Sequence, residues 1–473
     1  MQKCILFYEW RLKSGIAYSK KAYFKVKIIF METTTLTNSN WSLSRKISFR
    51  FFCSFFVLYT FPFPLNSVPF AAEINKISEK ILHWYFAAFE YVTTFWHWLI
   101  PGVGKSLLSL KKPITIFTNG SGDTTYDYVL VLTMVLLSII SCIVWSILDR
   151  NRKSYDTAYY WLCVLLRYFL AVIMLSYGFS KVFHLQMPYP YLSRLVQPYG
   201  DSSPMGLVWT YIGQSKAFSA VLGWSEVICG VLLFFRKTTL IGALFTLIVM
   251  GNVMVVNFCY DVPVKLFSSV LELMALYLAA PYLKILYQAL IQHKPTHINN
   301  YYQPVFTKRW QVIGIKVLKI LIIADALFYG VKGSIDGGKQ YGDNAPRPPL
   351  YGIYNTEMVI RNNDTIPPLT TDTWRWKQVI IQSKNYARIK LMNDSMLNYN
   401  FQVDTALKKA TVYNFLDTLT KARFNYIKDG DDLILRGKMG FDSLFVKLKR
   451  YDEKKFRLMN RGFHWINEYP YNR

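Results

Sequence analysis

The residues in this sequence best placed to do chemistry are ionisable side chains set inside long apolar runs. Arg167 stands in the run 159–179, Glu226 in 217–235, Glu272 in 266–287 and Asp325 in 312–331, and Asn252 adds an amide within 239–258. A charge placed in hydrocarbon costs a few kcal/mol or more, so such a group needs a pairing partner, a ligand or a proton to carry. With a helical rise of about 1.5 Å per residue, these groups fall within about two turns of one depth, from the midplane outward. Arg167 has the reach to pair with a carboxylate or to orient a ligand carbonyl. Three acids facing one arginine leave negative charge over, which favours a ligand or proton role, with Glu226 as the proton-exchanging group. The plainer alternative is a lock in which Arg167 pairs with one acid to hold the bundle while another acid stays protonated.

A second constellation gathers where these runs end. Tyr177-Gly178-Phe179-Ser180-Lys181 closes one run, the Pro/Tyr-rich QMPYPYLSRLVQPYGDSSP follows, and residues 257–265 join two others. Lys181 and Asn257 would line an outer entrance admitting an amphiphile such as a quinone or a lipid. Ordinary interfacial anchoring by aromatic residues is the simpler reading. Asp201-Ser202-Ser203-Pro204 is a capped helix start with proline in the first turn, and the MGLVWTYIG that follows is too short to span a bilayer. The closing NRGFHWINEYPYNR is expected to pack on the C-terminal domain, or else to dock it on the rim or bind a partner.

The elements that must position these residues are membrane helices. The chain is 52% hydrophobic and 18% charged, against about a quarter charged in a soluble domain. Seven runs reach spanning length, at 47–70, 128–148, 159–179, 217–235, 239–258, 266–287 and 312–331. The connectors 149–156, 235–238 and 288–311 are basic, which by the positive-inside rule puts the N-terminus in the cytoplasm and the C-terminus outside. The net charge of +26 is spread over these flanks, so lipid headgroups, and not nucleic acid, are the expected partners. Residues 73–126 hold an aromatic amphipathic stretch suited to the headgroup layer. Its GVGKS lacks the leading glycine of a phosphate loop, where Leu99 stands. Translation is expected to start at Met31, with residues 1–30 an extension, and 47–70 to be an uncleaved first span. The six cysteines form no CxxC, and His184 stands apart from the other histidines, so no metal is expected.

Past Lys332 the composition changes. The expected organisation is a basic segment 1–46, two spans and an external loop over 47–158, a membrane core 159–290, a cytoplasmic loop and last span 291–335, a Gly/Pro linker 336–373 and an external β domain 374–473. Eight short alternating segments, from WKQVIIQ to KFRLMN, predict an antiparallel barrel, lipocalin-like, with a sandwich as the alternative.

The stretch LLRYFLAVIMLSYGFSKVF, followed by GWSEVICGVLLFFRKTTLIGALFTLIVMGNVMVVNFCYDVPVK, resembles the DoxX-like family of bacterial membrane proteins. The matching features are Arg167 early in a span, Gly178 and Lys181 at its end, and Glu226 with Gly230 ahead of Arg236. The likeness covers 159–290, a four-helix core, and the whole chain also looks like larger members from Bacteroidota-type genomes whose tail ends much as HWINEYPYNR does. The resemblance implies a link to membrane redox systems, since some relatives are associated with quinone-linked thiosulfate oxidation or oxidative-stress complexes. The expectation is an α-helical bundle of about seven spans in a bacterial inner membrane, with a periplasmic β domain. As an accessory of a redox process it would bind quinone or lipid near Arg167, Lys181, Glu226, Asn252, Asn257, Glu272 and Asp325. A non-catalytic envelope scaffold whose β domain recruits a periplasmic or membrane partner is the alternative, and a transporter the third.

Overall fold

A computed structural model describes residues 40–77, 79–296, 304, 306–415 and 417–472. The expected start at Met31 and the extension before it lie outside them. Eleven helices precede the sheet among these residues: α1 Leu43–Thr60, α2 Ala71–Ile77, α3 Glu79–Ser106, α4 Thr125–Leu148, α5 Asp156–Val182, α6 Leu192–Leu195, α7 Pro204–Gly213, α8 Lys216–Phe234, α9 Thr239–Cys259, α10 Lys265–Leu290 and α11 Arg309–Gln340. Nine strands follow: β1 Gly352–Arg361, β2 Asp364–Thr365, β3 Trp376–Ser383, β4 Tyr386–Leu391, β5 Met396–Asp404, β6 Lys409–Asn414, β7 Asp417–Asp429, β8 Asp432–Met439 and β9 Asp442–Tyr451; a short α12, Arg457–Asn460, comes last.

Among the described residues, five helical segments are long and apolar enough to cross a membrane: Thr125–Leu148, Asp156–Val182, Lys216–Phe234, Arg236–Cys259 and Lys265–Leu290. This is a membrane protein, with five such segments where about seven spans are expected. The other two expected spans do form helices, but charge sets them apart. Arg45, Lys46 and Arg50 lie within α1, and Lys316, Lys319 and Asp325 within α11. α1 also stops at Thr60, since Pro62 and Pro64 cannot supply the amide protons a helix needs.

The chain divides into two compact units. One comprises Met1–Val57, Val135–Leu162 and Asn299–Val305. In it Arg50, only 2% exposed, is fully tied. Its Nε and Nη2 donate to the Tyr155 hydroxyl at 3.1 and 2.8 Å, Nη1 to Ser146 Oγ at 2.8 Å and Nη2 to the Asp149 carbonyl at 3.0 Å. Phe49 stacks on the same tyrosine. A guanidinium with every edge occupied can be buried at tolerable cost.

The second unit, Leu58–Met134, Cys163–Ile298 and Phe306–Arg473, holds the helical core and the β domain. The sheet is an antiparallel meander from β3 to β9, and β1 pairs with both β3 and β9, so eight strands close into a barrel, with the short β2 at its margin. Gly430 (φ +53°) and Gly440 (φ +63°) supply the left-handed residues of two tight hairpins. Trp376, Phe401, Phe424, Leu433, Leu435 and their neighbours fill the interior. Three features depart from expectation. β1 lies in the segment read as linker, because GIYNTEMVIR mixes polar residues into both faces and hides the strand period. KFRLMN is a turn and α12 instead of a strand, with the Asp452 side chain accepting from Lys454 N at 3.0 Å to begin the coil. The closing tail is not packed on the barrel: Phe463, Trp465, Ile466 and Tyr469 are all strongly exposed.

Candidate functional site

The site is built where α5 and α8 cross without side chains between them. A Cβ on Gly178 would stand 2.8 Å from the Gly223 carbonyl oxygen, so only hydrogen fits there. Backbone contact this close brings the next turn of each helix into range. Lys181 on α5 then meets Glu226 on α8, with Nζ at 2.6 Å from Oε1 and 2.9 Å from Oε2. The side chains are 7% and 3% exposed. Ser219 Oγ, also on α8, donates to the Lys181 carbonyl at 2.9 Å. Bidentate contact is what makes such burial bearable, because each ion leaves a hydration shell worth several kcal/mol.

The remaining expected site residues go to separate contacts. Arg167 Nε donates to the Leu233 carbonyl at 2.9 Å and Nη2 to that of Phe234 at 3.0 Å, so its charge sits at the negative end of the α8 dipole. Asn257 is buried and donates to Ser268 Oγ at 3.0 Å, joining α9 to α10. Glu272 lies over Gly251 of α9, and its Oε2 is buried with no hydrogen-bond partner among the described residues. Asn252 is exposed. Asp325 accepts from the Phe70 amide at 2.6 Å, at the residue before α2, and Lys332 of α11 reaches Glu73 at 3.0 Å. Of the seven, the structure joins Lys181 and Glu226.

A second polar cluster follows one turn beyond Lys181, where the His184 amide donates to the Lys181 carbonyl at 3.0 Å. His184 has φ +59°, in the left-handed region that few residues other than glycine adopt and that ends the helix here. Its Nδ1 lies 2.6 Å from Asp343 Oδ2, and Lys216 Nζ lies 3.0 Å from the same oxygen. The Tyr189 amide donates to Asp343 Oδ1 at 3.3 Å. Burial pushes the Asp343 carboxyl up, but the hydrogen bonds from His184 and Lys216 outweigh it and hold the group below the ordinary carboxylate range. Two ion-paired clusters, Lys181–Glu226 and His184–Asp343–Lys216, therefore follow each other at the end of α5, the second carrying the half-exposed ammonium of Lys216. Sequence reading missed His184 and Asp343. The usable signal was the helical spacing of Lys181 and His184; Asp343 lay in an unremarkable Gly/Pro segment.

No family model matches the sequence, and no solved structure matches it. The chain is similar to the uncharacterised protein YwoB of Bacillus subtilis (strain 168), at 26% identity over 121 residues, covering 24% of this chain and 71% of the relative.

Proposed function

We propose that the protein is an accessory component of a redox process in a bacterial inner membrane, with a DoxX-like core over 159–290 that binds a quinone or a quinone-sized lipid at Lys181 and Glu226. The observation that carries this reading is the buried Lys181–Glu226 pair. A bundle selected for stability alone does as well with apolar residues at such positions, whereas a paired ammonium and carboxylate can be redirected to a ligand. Lys181 would donate to a ligand carbonyl, and Glu226 would take the proton of a reduced ligand's hydroxyl. The neighbouring cluster of His184, Asp343 and the half-exposed Lys216 supports an opening toward the rim, with the barrel on the periplasmic side.

Mass spectrometry of small molecules retained by the gently extracted protein tests this reading. A quinone or defined lipid held by the wild type and lost in both Glu226→Gln and Lys181→Gln is expected. No ligand retained by the wild type, or retention by both variants equal to that of the wild type, would overturn it. One observation favours the scaffold reading: the exposed Phe463, Trp465, Ile466 and Tyr469 of the tail offer aromatic anchors of the kind protein partners use.

A further inference from the structure

Between the outer wall of the barrel and the segment after α6 lies a cleft of about 450 Å³, in the size range of small-ligand sites. Its two sides differ. Leu195, Val196 and Pro198 face Tyr451 and Phe456 across an apolar side, and those two rings lie 5.1 Å apart. The other side is polar: Gln378 of β3 is the cross-strand neighbour of Lys390 on β4, and Lys377 stands beside them. Both residues point outward because Val379 and Ile389 fill the barrel core.

The polar side has one charge over and one acceptor unmet. Lys390 is buried, with Nζ 3.3 Å from the Val196 carbonyl and 3.1 Å from Asp394. Lys377 Nζ reaches the same Asp394 oxygen at 2.6 Å. The hydrogen bonds from Lys377 and Lys390 hold Asp394 below the ordinary carboxylate range, so it stays ionised. Two ammonium groups sharing one carboxylate leave a single positive charge. The Gln378 amide nitrogen is spent on Asn355 Oδ1 at 2.8 Å. Its Oε1 is buried with no hydrogen-bond partner among the described residues, which is rare for a buried acceptor.

We propose that this cleft binds the headgroup of an anionic phospholipid. A phosphodiester brings one negative charge for Lys377 and Lys390, a headgroup hydroxyl donates to Gln378 Oε1, and the glycerol and first acyl carbons lie along the apolar side. A soluble phosphate ester shares the polar half of this chemistry. The lipid is favoured because the segment carrying Leu195–Pro198 connects α5 to α8, both apolar enough to cross a membrane, so the cleft sits on a connection between membrane helices. It also explains an apolar side that a free ester would leave unused.

The test uses the full chain in phosphatidylcholine nanodiscs containing phosphatidylglycerol with a photoreactive headgroup, the labelled peptides being mapped by mass spectrometry. Label on 195–198 and on 451–456 is expected in the wild type. It should fall about tenfold in Lys377→Gln and in Lys390→Gln, each of which removes a charge-assisted contact, and stay unchanged in Lys384→Gln, an exposed lysine of the β3–β4 turn. Lys377 is partly exposed, so that variant reports even where loss of the buried Lys390 prevents folding. Unlabelled phosphatidylglycerol should compete, and glycerol 1-phosphate should not. Label confined to the apolar helices, labelling of both lysine variants as strong as that of the wild type, or competition by the soluble ester would each overturn the assignment.

Discussion

The helical bundle and the barrel treat the same kinds of side chain in opposite ways. On α4, Ile139, Ile140, Ile143 and Ile147 are exposed, whereas in the barrel Val379, Ile389, Leu433 and Leu435 are wholly buried. Charge is inverted too: Lys181 and Glu226 are buried between helices, while Lys447 of the barrel pairs with Glu357 and Asp432 on the outer surface. The difference teaches that the surrounding medium decides where an apolar residue goes. Water drives the isoleucines and leucines of the barrel inward. Hydrocarbon gives no such push, so the bundle is held by close backbone packing and by polar groups turned toward protein.

The largest test of this contrast is Lys181→Met, which leaves the Glu226 carboxylate buried without its cation. It should cost about 4 kcal/mol in thermal or denaturant unfolding of the detergent-solubilised protein, and adding Glu226→Leu should restore most of that. A double variant no better than the single one would show that desolvation is not the governing cost. The next effect compares two truncations. Phe424→Ala empties a place beside Trp376 in the filled barrel, ring centroids 6.2 Å apart, and should cost about 3 kcal/mol. Ile140→Ala, at a residue 57% exposed, should change stability by about 0.5 kcal/mol or less. Equal losses would break the inversion.

Asp343→Asn gives a smaller effect than the loss of Lys181 or Phe424 and sharpens the picture at the end of α5. Because the folded carboxyl is held below its ordinary range, its contribution is complete above the unfolded value of about 4 and is lost as pH falls through the folded one. At neutral pH the variant should be less stable by about 1 to 2 kcal/mol. The gap to wild type should close as unfolding is followed below about pH 4, and a gap independent of pH would contradict the ion-pair account.

Much of this was legible from local pattern. Apolar length marked the five helical segments, the run 201–204 marked the capped start of α7, where Ser203 Oγ accepts from the Gly206 amide at 3.1 Å, and alternation located the strands from β3 to β9. β1 escaped because its burial depends on partners almost a hundred residues later, such as Tyr451 opposite Ile353. Depth counting placed Arg167 and Glu226 near one level, but depth carries no information about which faces of two helices meet.

The sequence by itself determined that the chain enters a membrane, that its C-terminal part is an antiparallel run of hairpins, and that a few ionisable groups must lie inside. Those conclusions follow from hydropathy and from helical or strand period, which are local. Only the tertiary structure decided the partners: Lys181 for Glu226, backbone carbonyls for Arg167, His184 and Lys216 for Asp343, and Lys377 with Lys390 around Asp394. Each pairing depends on a helix crossing, a loop path or a strand register. At Gly178 and Gly223 the deciding feature is the absence of a side chain, which lets two backbones touch and sets which residues a turn away can meet.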